Sequence, residues 1–231
     1  MTKGPLASMS SIEDDRLSGT ARDEDSASAC AIRAKRNQIL AGAGTVFLAS
    51  GYEGASMSQI AREAGVSKGT LYNHFDGKAS LFSAFFEEQS RTKLDMLFAA
   101  VNDDGLDFRT GLIQLATAVV KVLLSPASMS LYRIIVAEAS QFPNLADTFW
   151  RYGFARTLDS LSTWLARKAA EGVVVIDDPA LTAEQFMMMC QTRIVQRRRL
   201  MLPVEDDAAS IQKLAVFTAD SFLKIYGTEH Q

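Results

Sequence analysis

The chain constrains itself most tightly between Ser56 and Phe75, where two helix-start signals stand back to back around one glycine. Ser56-Met57-Ser58-Gln59 has capping-box spacing: the Ser56 hydroxyl takes the N3 amide and Gln59 reaches back to the Ser56 amide. Gly65 supplies the stop. Ser67 then starts a second helix of about two turns, with Val66 and Leu71 placed as the hydrophobic staple that sets its entry angle. Leu71 and Phe75 share one face of it, while Lys68, Thr70, Tyr72, Asn73 and His74 mostly take others. Ahead of this pair, Ile32, Ile39, Ala43, Val46 and Phe47 recur at helical spacing and Gly51 follows as a C′ residue, so a longer helix precedes. Gly42 and Gly44 lie inside it and each costs roughly 1 kcal/mol relative to alanine.

The rest of the chain repeats the helical period. Leu81, Phe82, Phe85, Phe86, Leu94, Leu97 and Phe98 mark a run over 78–102, and further runs follow at about 107–124, 128–142, 144–171, 181–200 and 207–226. Asp103-Asp104-Gly105, Ser125-Pro126, Pro143, Gly172 to Pro179, and Pro203 separate them. Val173-Val174-Val175-Ile176 alone reads as strand, and a lone strand has no partner. The expected fold is all-α. Residues 1–31 carry few large apolar side chains and no sustained period, and are expected to be a disordered tail.

Composition narrows the chemistry. In 231 residues there are two cysteines, Cys30 and Cys190, and two histidines, His74 and His230, so a disulfide framework, a CxxC-type metal site and His-dependent catalysis have almost no place to sit. No metal, cofactor or enzymatic activity is expected. The longest uncharged stretch, Asn37 to Tyr52, is too short and polar for a membrane span, and the acidic, serine-rich N-terminus lacks the apolar core of a secretory signal; a cytoplasmic protein is expected. The net charge of -3 conceals an asymmetry: residues 1–31 carry six acids against three bases, and residues 32–78 six bases against three acids. That pattern permits a polyanion-binding module over 32–78.

Two short capped helices braced by a longer one are the parts of a helix-turn-helix, whose second helix offers its N-terminal side chains to the major groove. Lysine suits guanine acceptors, threonine a hydrogen bond or a thymine methyl, and Gly69 leaves room for close approach of backbone to phosphate. Spacing alone is equally compatible with two core helices whose polar residues face water. The run from Gly51 through Ser56-Met57-Ser58-Gln59-Ile60-Ala61 and Ala64-Gly65-Val66-Ser67-Lys68-Gly69-Thr70-Leu71-Tyr72-Asn73-His74-Phe75 closely resembles the DNA-binding domain of the TetR/AcrR family of bacterial transcriptional regulators. The likeness extends from about Ile32 to Leu81. It implies a DNA-binding set of Ser58, Ser67, Lys68, Gly69, Thr70, Tyr72, Asn73, His74 and Lys78, with Ser58 and Lys78 near phosphates.

By the same resemblance, residues 79–231 form a helical regulatory bundle that holds a small apolar ligand and pairs across a two-fold axis into a homodimer on operator DNA. The segment Leu131 to Pro143 looks like the C-terminal domain of an AefR-like subgroup. Phe98, Glu138, Phe149, Phe186 and Met189 are the candidate ligand contacts. Glu138 shares a face with Leu131, Ile134 and Ile135 and is a candidate buried carboxylate. Ile211, Leu214, Ala215, Thr218, Phe222 and Ile225 form one stripe suited to a core or to a partner helix, and Arg197-Arg198-Arg199 reads as a solvated helix end favourable to the macrodipole. The expected function is a ligand-responsive repressor; the alternative is a helical carrier or enzyme for apolar molecules with a vestigial DNA-binding domain.

Overall fold

The computed structural model describes residues 11–99 and 107–228. Eleven α-helices follow one another among them: α1 (Ser11–Gly54), α2 (Met57–Glu63), α3 (Lys68–His74), α4 (Lys78–Ala99), α5 (Phe108–Leu124), α6 (Pro126–Glu138), α7 (Pro143–Phe149), α8 (Arg156–Ala170), α9 (Pro179–Met189), α10 (Arg193–Arg199) and α11 (Ala208–Tyr226). A π-helical turn, Trp150–Ala155, joins α7 to α8 without a break. The expected all-α fold is therefore the observed one. Val173 to Ile176 forms no strand; Val174 makes one isolated bridge to Gly227, and Val175 N–H donates to the Tyr226 carbonyl at 2.8 Å.

Segment 1–31, expected to be a tail, divides in two. Its first ten residues lie outside the described ones, and from Ser11 the backbone is helical and runs into α1. No glycine or proline stands between Gly19 and Gly42 to stop a helix that propagates backward from its packed end. Every residue from Ser28 to Lys35 is exposed, so packing begins only near Arg36 and Ile39.

Two apolar clusters hold the molecule. The first joins Ile39, Phe47, Ile60, Leu71, Leu81 and Phe82, all fully buried, and continues into Leu131 and Ile135 of α6 and Leu145 of α7. Phe47 and Phe82 meet edge to face at 5.1 Å, and Tyr52 meets Phe82 at 5.3 Å and Phe142 at 5.0 Å. The second joins Leu97 of α4, Leu112 and Val120 of α5, Trp164 of α8, Phe186 of α9 and Phe222 of α11. Each such side chain contributes about 1.5–3 kcal/mol by leaving water, and the first cluster joins α1–α3 to α4, α6 and α7 in one packed body.

Candidate nucleic-acid interface and internal cavity

The helix-turn-helix is built from its caps. Ser56 and Gln59 make both arms of the capping box, with Gln59 N–H donating to Ser56 Oγ at 3.2 Å and Ser56 N–H to Gln59 Oε1 at 2.9 Å. Gly65, at φ +63°, ends α2 in a Schellman motif: its N–H donates to the Arg62 carbonyl at 3.1 Å and that of Val66 to the Ala61 carbonyl at 2.9 Å. Ser67 Oγ accepts from Thr70 N–H at 3.0 Å and starts α3. The longer helix clamps this turn, since Gln38 Nε2 donates to the Ala64 carbonyl at 2.6 Å. A Cβ on Gly42 would stand 2.7 Å from Ala64 N, so the glycine that weakens α1 is what lets it touch the turn.

That scaffold turns α3 outward. Leu71 is fully buried and Phe75 nearly so, while Ser67, Lys68, Gly69, Tyr72 and Asn73 are exposed and Thr70 and His74 half-buried. Tyr72 is 52% exposed, so it does not pack beneath its helix. Ser58 on α2 is exposed beside them. Lys78 is differently placed. Its Nζ donates to the carbonyls of Glu53 at 3.1 Å and Ala55 at 3.0 Å and lies 4.6 Å from the centre of the Tyr52 ring, pinning the loop between α1 and α2. Two of its three N–H groups are thereby used within the protein.

Glu138, expected as a ligand contact, sits at the end of α6 and holds the last turn of α1, beyond the break at Gly51, and does not line the cavity. Its Oε1 accepts from Tyr52 N–H at 3.1 Å and its Oε2 from Glu53 N–H at 2.9 Å. The intervening turn depends on Gly51, at φ +74°, where a Cβ would also stand 2.9 Å from Glu138 Oε1. Burial and the neighbouring Glu138 charge raise the Tyr52 phenol above its usual range, against a hydrogen bond from Asn144.

A cavity of about 110 Å³ lies among α4, α5, α6, the π-turn and α8. Phe149 lines it as expected, but Phe98, Phe186 and Met189 do not. Phe98 packs on the second cluster, Phe186 is fully buried against Phe222 at 5.6 Å, and Met189 sits at the end of α9; Met187 is the residue of that run on the cavity wall. Gly153 and Phe154 of the π-turn and Thr157 in the first turn of α8 complete the wall. Composition and periodicity missed two polar walls. Lys93 Nζ donates to Ser128 Oγ at 3.0 Å, and Arg199 Nη2 donates to Gln191 Oε1 at 2.7 Å with its guanidinium 4.1 Å from the Tyr132 ring centre. Arg197 and Arg198 do cap the helix end, through the Pro203 carbonyl and Asp206, but Arg199 turns inward. Cys190 is no nucleophile, since burial pushes its thiol up to about 12.

The stripe on α11 resolves into core. Ile211, Ala215, Thr218 and Phe222 are buried within the chain, Leu214 half-buried, and Ile225 exposed. Ile225, at 56% exposure, leaves that stripe and faces out with Phe217, at 72%, on α11, while Leu181 and Met188 are exposed on α9. The Tyr226 hydroxyl to Gln185 and Thr218 to the Met189 carbonyl fix the two helices side by side. Among the described residues no single helix is long and apolar enough to cross a membrane.

An outward-facing α3 on a clamped turn, ahead of a cavity-bearing helical bundle, defines the class of one-chain helix-turn-helix regulators. The family model of bacterial regulatory proteins of the tetR family matches residues 39–85, and that of the AefR-like transcriptional repressor C-terminal domain matches residues 110–228. The chain belongs to the TetR family of transcriptional regulators. It is 45% identical over 53 residues to the transcriptional activator FasR of Mycolicibacterium smegmatis, covering 23% of this chain and 24% of FasR. It is 38% identical over 56 residues to the transcriptional repressor AcnR of Corynebacterium diphtheriae, covering 24% of this chain and 30% of AcnR. These alignments span only about a quarter of the curated relatives' length. Solved structures match far more: a TetR-family regulator from Mesorhizobium loti MAFF303099 at 27% identity and TM-score 0.79, covering 85% of this chain and 98% of that one. The flavonoid-responsive regulator FrrA matches at 27% identity and TM-score 0.69, covering 84% and 97%.

Proposed function

We propose that the protein is a cytoplasmic, ligand-responsive repressor that binds an inverted-repeat operator as a homodimer. The observation that carries this reading is the solvent-facing row of Lys68, Tyr72 and Asn73 on a helix anchored by the buried Leu71. Lys68, Thr70 and Tyr72 read base edges, with Asn73 and His74 beside them; Ser58, Ser67 and the backbone at Gly69 meet phosphates, and Lys78 offers its remaining N–H to one. Residues 32–78 form the DNA-binding domain and residues 79–231 the sensing and pairing domain. A seven-residue α3 reads one half-site, so two copies are needed, joined through the exposed Phe217, Ile225, Leu181 and Met188.

The test is DNase footprinting and anisotropy on the promoter nearest the protein's own gene. Lys68→Ala is expected to weaken binding and to relax specificity at one base position. A monomer at micromolar concentration by sedimentation, or an unprotected promoter, overturns the reading.

A further inference from the structure

We propose that the internal cavity is an anion site: it takes an amphipathic carboxylate whose alkyl or aryl body lies among Phe86, Leu94, Phe149 and Phe154 and whose charged end is held by Lys93, with Arg199 as a second positive charge in the lining. The proposal rests on the ligand-responsive reading and narrows it, since a simple apolar ligand would leave Lys93 with one neutral hydroxyl, and Arg199 with the Gln191 amide and the Tyr132 ring, and no anion for either.

The reason is a cation set into a mostly apolar cavity lining without an acid. Several arginines elsewhere meet one, such as Arg109 with Asp220 at 2.7 Å and Arg198 with Asp206 at 2.7 Å, and those that do not, such as Arg33, Arg62 and Arg133, are exposed to water. Among the described residues no aspartate or glutamate lines the cavity, and neither Lys93 nor Arg199 has a carboxylate within 4.0 Å. The neutral Ser128 hydroxyl answers one of the three Lys93 N–H groups. Such a lysine ordinarily extends its head to water; this one is half-buried and ends on the Ser128 hydroxyl in the cavity lining. A buried cation is costly unless an anion meets it, and its charge-assisted hydrogen bonds are then among the strongest available. Burial also depresses the Lys93 ammonium below its usual range, which a bound carboxylate would reverse. A cationic ligand would be repelled.

The experiment uses three probes with one apolar body and different heads: decanoate, decan-1-ol and decylammonium. Each is titrated calorimetrically into the full-length protein, with operator binding measured in parallel. Decanoate is expected to bind about tenfold or more tighter than decan-1-ol, and decylammonium not to bind. Lys93→Met is expected to lose that tenfold for decanoate and keep decan-1-ol affinity, and Lys93→Arg to retain decanoate. Circular dichroism and operator binding verify that each variant folds; Arg199→Gln provides a second, independent variant. Equal affinity for decanoate and decan-1-ol, tighter binding of decylammonium, binding of none of the three, or unchanged decanoate affinity in both Lys93→Met and Arg199→Gln overturns the anion site. Operator binding separates the two ideas. Decanoate bound as expected with operator affinity unchanged leaves the site standing and overturns ligand responsiveness, whereas intact operator binding with no head-group preference overturns the site alone.

Discussion

Glu138 and Tyr52 are 86 residues apart in sequence, yet the Glu138 carboxylate accepts the Tyr52 backbone N–H at 3.1 Å. Glu138 closes α6, whose earlier turns put Met129, Leu131 and Tyr132 on the cavity wall, while Tyr52 lies in the last turn of α1, beyond the break at Gly51. A movement of α6 in response to a ligand therefore pulls on a segment whose Glu53 and Ala55 carbonyls also hold Lys78. A ligand alters DNA affinity only through its differential affinity for two arrangements, and under the proposed function this link is the element through which the cavity would bias the DNA-facing end.

Removing that carboxylate tests it. Glu138→Ala leaves two N–H groups without their charged acceptor and is expected to lower stability by about 1–3 kcal/mol. It is also expected to shrink the change in operator affinity that a ligand produces. Thermal melts and operator titrations with and without ligand measure both effects, and a variant that melts and responds as the parent does refutes the link.

Gly69→Ala separates stability from recognition. A Cβ there meets nothing nearer than Ser67 Oγ at 3.8 Å, so the protein's own packing does not demand glycine. Alanine in the second position of α3 is expected to stabilise the fold by up to about 1 kcal/mol. It is expected to cost tenfold or more in operator affinity if DNA backbone fills that space. Unchanged affinity shows that the space stays empty on DNA.

The Lys93 ammonium sets a pH signature. Its folded pKa lies below the usual 10.5 because burial disfavours the charge, so between the two values the unfolded chain holds the extra proton and stability rises with pH. Lys93→Met is expected to raise the melting temperature of the ligand-free protein at pH 7 by ~2–4 °C, the equivalent of about 1 kcal/mol. Its advantage is expected to narrow toward pH 10 as the parent lysine neutralises. A gap that is constant over that range shows that the lysine keeps its ordinary titration.

Met201 closes α10 at φ +57°, in a position where its N–H and that of Leu202 satisfy the Arg198 and Arg197 carbonyls at 3.1 and 2.8 Å. Glycine is the residue such a C′ position favours. Met201→Gly is expected to stabilise by roughly 0.5–1 kcal/mol, because relief of left-handed strain exceeds the added freedom of the unfolded chain. Chemical denaturation reads the difference, and a destabilised variant shows that the exposed Met201 side chain makes a contact worth more than the strain.

What the sequence disclosed was local. The Ser56–Gln59 box, the Gly65 stop, the Ser67 cap and the buried Leu71 each depend on residues within four positions of one another, so periodicity and cap chemistry located them. The sequence reads Glu138 as a candidate buried carboxylate and ligand contact, Lys78 as a phosphate contact and Arg199 as part of a solvated helix end; their actual partners arrive from other elements, which local spacing does not reveal. On α9 the pattern identified an apolar helix but not its phase: each residue steps about 100° around the axis, which puts Met187 on the cavity, Phe186 in the core and Met188 in solvent. The π-turn at Trp150–Ala155 adds its own rotation to α8, and nothing in the spacing of 144–171 announced it.

The apolar cluster that starts at Ile39 runs past Lys78 through Phe82 and Phe85 to Leu131 and Leu145. A hybrid regulator made by grafting residues 32–78 onto a foreign bundle would strip those side chains of their neighbours. The workable suture is farther along, where the first cluster gives way to the second near Leu97 of α4 and beyond Leu145. Interchangeable parts for a chain of this architecture are thus not a reader and a sensor; the reader travels with half of the sensor attached.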